Sequence, residues 1–345
     1  MSNNYIAFFD KLEKSNNAYE NAINLKNVDF ECINKESIFK YCVSEGGYWQ
    51  WFVAIVNKYG IVPKSVMPNA FESDNWQKLE YIYTEKVKKD ILKLLELKEK
   101  QLDIEEIRKV KQNFIEENYF ILSKVLGEPK YEFAYEYKDN NGEYRKIEKI
   151  TPIAFKDKFL SIKLEEFVSI ANLPMYNMEY NKIYRKKYEG NVIGKSYVEF
   201  LNLPIENLKE LTIKQLKDKI PVWFGVYVQK FRDKKSGVLD KRLYNYDKTL
   251  KIDFLTKAES LDLIDISMEH AMTLCGVNIV DNKPQRWKVE DSYGDKERYN
   301  GYYIMNDNYF DQFVFNVIIN KKFLTKEQIE LLKQEVIEID VEGVI

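Results

Sequence analysis

The stretch Ser267-Met-Glu-His270-Ala-Met-Thr-Leu-Cys275-Gly-Val-Asn-Ile-Val280, Asp281-Asn-Lys-Pro-Gln285, Arg286-Trp-Lys-Val-Glu-Asp291-Ser-Tyr-Gly294 decides how the rest of the chain is read. Two apolar, β-branched runs flank a short polar turn over Asp281 to Gln285, the pattern of a β-hairpin. His270, the only histidine in 345 residues, opens the first strand. Asp291 closes the second, so the hairpin folds a carboxylate back towards the imidazole. Imidazole is the side chain whose ordinary pKa suits proton transfer near neutrality. A lone histidine is more often a satisfied structural residue, so the flanking sequence has to decide between the two readings.

Lys and Arg number 53 against 55 Asp and Glu, a net charge of −2, and hydrophobic residues make up 45% of the chain. That is a globular balance, with no charge excess drawing the chain to nucleic acid or to an anionic membrane. No apolar run has the length of a membrane span. The N-terminal residues reach Asp10 and Lys11 before a signal-peptide core could form. The three cysteines, Cys32, Cys42 and Cys275, are too few and too scattered for a disulfide framework or a zinc site. The expectation is a cytoplasmic protein with no cofactor and no metal.

Taken in order, Asn4 to Leu25 reads as an amphipathic helix and Lys35 to Tyr41 as a short one. Gly46-Gly47 form a loop that feeds a helix from Trp49, stopped by Gly60. The segment 74–126 lacks Gly and Pro and is rich in Lys, Glu and Leu, which predicts two helices broken at Gln101-Leu102-Asp103. From Tyr131 the period switches to two, and Asp139-Asn140-Asn141-Gly142 signals a hairpin. Residues 155–171 read as mixed or helical, 183–192 and 197–203 as extended, 205–219 as a helix and 221–228 as a buried strand. Tyr302 to Met305 and Phe313 to Ile319 supply strands, and Thr325 to Val336 a last helix. Helices first and antiparallel strands later make the fold class α+β. The expected division is a mainly helical part over 1–150, with 74–126 as an inserted helical hairpin, and a β-rich part over 151–345 carrying the His270 hairpin.

A histidine opening a strand, with a polar partner after a hairpin in a Val-Glu-X-Ser-aromatic-Gly setting, resembles the papain-like cysteine peptidases. Gly46-Gly47-Tyr48-Trp49 resembles their Gly-Gly loop, which pairs with the main chain of the substrate. Phe9-Asp10-Lys11-Leu12-Glu13-Lys14, the run from Val56 to Pro68, and Pro221-Val222-Trp223-Phe224-Gly225 narrow the likeness to the bleomycin hydrolase/aminopeptidase C family. Lys235 to Asp240, His270-Ala271-Met272 and Arg286 to Glu290 agree, and the segments keep the family's order across almost the whole chain. The resemblance implies a papain-like fold, a cytosolic thiol aminopeptidase that removes N-terminal residues from peptides, and a homo-oligomer, typically a hexamer. It gives His270 and Asp291 catalytic roles, and Gly46 and Gly47 a role in substrate binding.

The family's nucleophile lies in a Gly-Arg-Cys-Trp-like motif, on a central helix that precedes the segment resembling Asn4 to Lys11. This sequence begins after it. Cys42 ends an apolar stretch rather than starting a helix, Cys275 falls on the opposite face of the histidine strand, where core packing is its expected role, and Cys32 has no base near it in sequence. Asp291 stands where the family has Asn, and Tyr293 where it has Trp. The run from Val336 to Ile345 also lacks the character of the family's C-terminal arm. The expectation is a chain inactive alone, for want of the nucleophile. The alternatives are one piece of a split aminopeptidase completed by an N-terminal segment, and a non-catalytic peptide-binding or assembly homologue. A missing central helix would leave apolar surface uncovered on the Trp49 to Val56 helix and on the strand from Val222 to Val228.

Overall fold

The computed structural model describes residues 1–25, 39, 42–73, 75–195, 197–292 and 300–339. The short helix expected over Lys35 to Tyr41, Cys32, Tyr293 and the end of the chain lie outside these residues. The described chain divides into two units, Met1–Leu164 with Tyr188–Val198, and Glu165–Lys187 with Glu199–Ile345. The border therefore falls later than 150/151, and 188–198 returns to the first unit.

The first unit is built around helix α1 (Asn3–Asn24), whose first turn is capped by the Ser2 hydroxyl accepting from the Tyr5 N–H. Helix α2 (Trp49–Tyr59), helix α3 (Trp76–Glu99) and helix α4 (Ile104–Leu126) all pack on it. The break between α3 and α4 lies where the sequence puts it. Gln101 takes a left-handed conformation (φ 57°), and Asp103 caps α4 by accepting from Glu105 N–H at 2.8 Å. An amphipathic α1 would leave its polar side in water. Instead Lys11, Glu13, Lys14, Ser15 and Glu20 are buried alongside Phe8, Phe9, Leu12 and Tyr19. Such groups are tolerated only when bonded. Glu13 takes Lys58 at 2.6 Å, and Glu20 takes Lys111 at 2.7 Å and Arg108 at 3.3 Å.

Strands β1 (Phe133–Lys138) and β2 (Tyr144–Ile150) pair as the predicted hairpin. Helix α5 (Pro152–Phe159) follows, with Thr151 as its cap. Gly60 ends α2 at φ 76°, where a Cβ would lie 2.2 Å from the Pro152 carbonyl carbon. Ile61 N–H donates to Pro152 O at 3.1 Å, so α5 belongs to the first unit. The mixed reading of 155–171 resolves into this helix and a strand, β3 (Phe167–Ala171), which belongs to the second unit.

The second unit continues with β4 (Lys182–Lys186), β5 (Glu199–Asn202), α6 (Ile205–Lys217), β6 (Val222–Val226), β7 (Arg232–Asp233) and β8 (Val238–Leu239). Two short helices, α7 (Tyr246–Thr249) and α8 (Lys257–Asp262), lead to β9 (His270–Val280) and β10 (Lys283–Glu290). Then come β11 (Tyr302–Asn306), α9 (Asp307–Phe313), β12 (Val314–Asn320), α10 (Lys326–Leu331) and β13 (Ile337–Ile339). Among the described residues the strands form one sheet in the order β13-β4-β5-β3-β12-β6-β9-β10-β11-β8-β7. The turn of the β9–β10 hairpin is tighter than expected. Only Asp281 and Asn282 form it, both left-handed (φ 49° and 60°), and Lys283 to Gln285 are already strand.

Two expectations need correction. Helix α10 stops at Leu331, and Ile337-Glu338-Ile339 pairs in parallel with Tyr184 to Lys186 as an edge strand. The alternating Ile-Glu-Ile pattern suits that position better than a helix. The strand around Val222 to Val228 does not lie bare. Val222, Phe224, Val226 and Val228 are buried, because β6 runs between β12 and β9 and packs against α6. Trp49, Trp51, Phe52 and Val53 of α2 are half-buried.

Candidate active site

His270 is the first residue of β9, paired with Val226 of β6. Its register is held by the residue before it. Glu269 N–H donates to Val226 O at 3.4 Å, and the Glu269 carboxylate accepts from Val228 N–H at 2.9 Å and from the Gln229 amide at 3.3 Å. Below this point Gly225 admits no side chain. A Cβ there would lie 2.2 Å from Met268 Sδ and 2.5 Å from Asn316 Oδ1, which accepts the Gly225 N–H at 2.9 Å.

Asp291 leaves the end of β10 and is pinned by its own backbone, whose N–H donates to Gly301 O at 3.2 Å. The hairpin brings the two side chains together. His270 Nε2 lies 3.0 Å from Asp291 Oδ1, and the same oxygen accepts Ser292 N–H at 2.7 Å. The Asp291 side chain is 1% exposed and the imidazole 21%. An ionised carboxylate only accepts, so the proton between them sits on Nε2.

The thiol on the histidine strand does not join this pair. Cys275 is five positions along β9, with its Sγ donating to Lys288 O at 3.4 Å, and burial raises its pKa. It is half-buried on the face opposite Leu274 and Met272, so the core role expected for it does not hold. Burial pushes the Cys42 thiol in the first unit up to about 11. Both stay protonated at neutral pH, and a protonated thiol is a poor nucleophile.

Gly46 and Gly47 precede α2 in the first unit. Gly46 has φ 85°, with open space where a Cβ would stand, and at Gly47 a Cβ would lie 2.9 Å from the Trp51 ring. Sequence reasoning missed what holds this loop. Lys14 Nζ donates to Ser44 O at 2.9 Å and to Gly46 O at 2.8 Å, and Lys11 Nζ to Val43 O at 3.2 Å. The only signal available was the spacing of Lys11 and Lys14, which puts both on one face of α1.

The Peptidase C1-like family model matches residues 1–342. Aminopeptidase C of Lactobacillus delbrueckii subsp. lactis is 37% identical over 328 residues, 95% of this chain and 73% of its own length. Aminopeptidase G of the same organism is 36% identical over 340 residues, 98% of this chain and 77% of its own. The crystal structure of PepW from Lactobacillus rhamnosis HN001 superposes with a TM-score of 0.93 at 38% identity, covering 98% of this chain and 77% of that one. A match of this extent, on an α+β architecture with its histidine hairpin, assigns the family: the chain belongs to the Peptidase C1-like family, in its bleomycin hydrolase/aminopeptidase C branch of papain-like cysteine peptidases.

Proposed function

We propose that this chain supplies the general base and the peptide-binding loop of a cysteine aminopeptidase, and that these 345 residues do not hydrolyse peptides by themselves. The observation that carries the reading is the 3.0 Å contact between His270 Nε2 and the buried Asp291 carboxylate. Held at Nε2, the imidazole works through Nδ1. It takes the proton of a thiol while Asp291 holds the ring in place, and the proton later passes to the leaving amine. The peptide lies along Gly46-Gly47, where the absence of side chains leaves the backbone open to main-chain pairing. The raised pKa values of Cys42 and Cys275 argue against either as the nucleophile, and in this reading the thiolate belongs to a cysteine on a complementing segment. Among the described residues Cys42 and Cys275 are free thiols, which suits a reducing cytoplasm.

The test is hydrolysis of an aminoacyl fluorogenic substrate, with and without a peptide carrying a Gly-Arg-Cys-Trp-like helix. The chain alone should match its His270→Ala variant. With the peptide, activity should appear that iodoacetamide blocks and His270→Ala removes. Turnover by the chain alone that disappears in Cys42→Ser would overturn the reading. Peptide binding without turnover in either arm would instead mark a non-catalytic homologue.

A further inference from the structure

Lys14 sits on α1 with a side chain only 3% exposed. Its ammonium group has three short contacts, to Ser44 O at 2.9 Å, Gly46 O at 2.8 Å and Asp10 Oδ2 at 2.8 Å. An ammonium has three N–H donors, so these contacts use all of them. Nζ also stands 4.9 Å over the Trp51 ring, the ring that packs against Gly47 and meets Tyr48 edge-on with centroids 4.9 Å apart. The circle closes through Asn191, fully buried, whose amide donates to Asp10 Oδ1 at 3.1 Å and to Trp51 O at 3.2 Å. Two carbonyls of the Gly-Gly loop, the indole behind it and the first turn of α2 are thus tied to one cation.

We propose that Lys14 is a positioning residue that holds the Gly46-Gly47 loop in the conformation that receives a peptide backbone, with Asp10 and Asn191 holding Lys14 in turn. The proposal rests on the peptide-binding role given to the loop above. A loop whose carbonyls are already directed inward to Lys14 presents its remaining backbone groups in one arrangement. Main-chain pairing is then reached without first ordering two glycines, the residues with most conformational freedom to lose. A merely structural lysine would affect folding and leave peptide affinity alone.

The experiment has two readouts on the full chain. Hydrogen exchange is followed over 43–52, and the binding of a tetra-alanine peptide, with a free amino end and a C-terminal fluorophore, is followed by anisotropy. Lys14→Met keeps the stem under Trp51 and removes the donors. It should speed exchange of the loop amides at least tenfold, leave the middle of α4 protected, and weaken the peptide at least tenfold. Lys14→Arg should restore part of both. Asp10→Asn, a milder change that keeps the shape, should move both in the same direction by a smaller factor, and it decides the matter if Lys14→Met does not fold. Unchanged loop exchange in these variants overturns the proposal, as does a loosened loop that binds the peptide as before. If the wild-type chain binds no peptide, the peptide-holding function itself fails, and the role of Lys14 falls with it. The wild-type arm separates that outcome from a failure of Lys14 alone.

Discussion

His270 Nε2 faces a carboxylate oxygen at 3.0 Å that also accepts a backbone N–H, and that geometry selects one imidazole tautomer. Because the chain has a single histidine, ¹⁵N spectra of the labelled protein read that tautomer without assignment work. The neutral ring should carry its proton on Nε2, and Asp291→Ala should let the two tautomers mix. Asp291→Asn should preserve the Nε2–H form, since the amide oxygen also accepts. A dominant Nδ1–H form in the wild type would mean that Asp291 does not orient the ring. At this scale the contact of His270 with Asp291 was readable in advance, because the hairpin spacing stands out in the sequence. Lys14, Asp10 and Asn191 do not: a charged residue on a helix looks the same in sequence whether it faces water or a set of loop carbonyls, and an Asn in a loop gives no sign of a partner 181 positions away.

Among the elements, the junction of α2 and α5 depends on a glycine for two separable reasons. Gly60 and Gly127 both end helices with positive φ, 76° and 87°, but only Gly60 has backbone in the way. Gly127→Ala should therefore cost about 1–3 kcal/mol, the penalty of a positive φ with an extended ψ (87° and 154°), a region nearly confined to glycine. Gly60→Ala should cost several kcal/mol, because the Pro152 carbonyl must move and α5 with it. Urea unfolding of the two variants measures the difference, and equal losses would rule out the clash. A second element-level anchor is Trp287 of β10, fully buried, with its indole N–H donating to Asp307 Oδ1 at 3.0 Å and its ring 4.8 Å from Phe310 of α9. Trp287→Phe should cost on the order of 1–3 kcal/mol, because it leaves Asp307 one donor short while keeping most of the packing. Asp307→Asn in the Trp287→Phe background should then add less than it does alone, and full additivity would show the two side chains uncoupled.

For the whole molecule, the pH dependence of stability has two opposed sources. Burial lowers the pKa of Lys257 to about 7 and of Lys11 to about 8, from 10.5. Between those values and 10.5 the unfolded chain binds more protons than the folded one, so stability rises with pH. Each shifted unit is about 1.4 kcal/mol, so the combined rise is on the order of several kcal/mol. Buried tyrosines act the other way. Tyr5, Tyr19, Tyr59, Tyr83 and Tyr309 are all held above their ordinary value of 10, chiefly by desolvation. Above pH 10 the unfolded chain loses these protons first, and stability falls. Chemical denaturation from pH 7 to 11 should show a maximum between about 9 and 10. Lys257→Met should flatten the rising limb, since its ammonium donates only to Asn172 Oδ1 and Val314 O among the described residues. A steady decline from pH 7 would contradict these buried lysines.

What the sequence by itself determined is local or carried by motif: α1, α2, the α3–α4 break, both hairpins, the α+β class, the family, and the pairing of His270 with Asp291. Each rests on interactions within a few positions, such as Gly60 at a helix end, or on a register that a short turn enforces, as Asp281-Asn282 does for β9 and β10. Only the tertiary structure decided which polar groups are buried and which short segments become strands. The polar side of α1 is surrounded by α2, α3 and α4, and its charges find partners as far along the chain as Lys58 and Lys111. Ile337–Ile339 is a strand because β4 offers it an edge, and 188–198 rejoins the first unit through the bonds Asn191 makes to Asp10 and Trp51. Helix propensity and hydrophobic period describe a residue's neighbours along the chain, whereas burial of a charge depends on partners tens of positions away, 45 for Glu13 with Lys58 and 91 for Glu20 with Lys111.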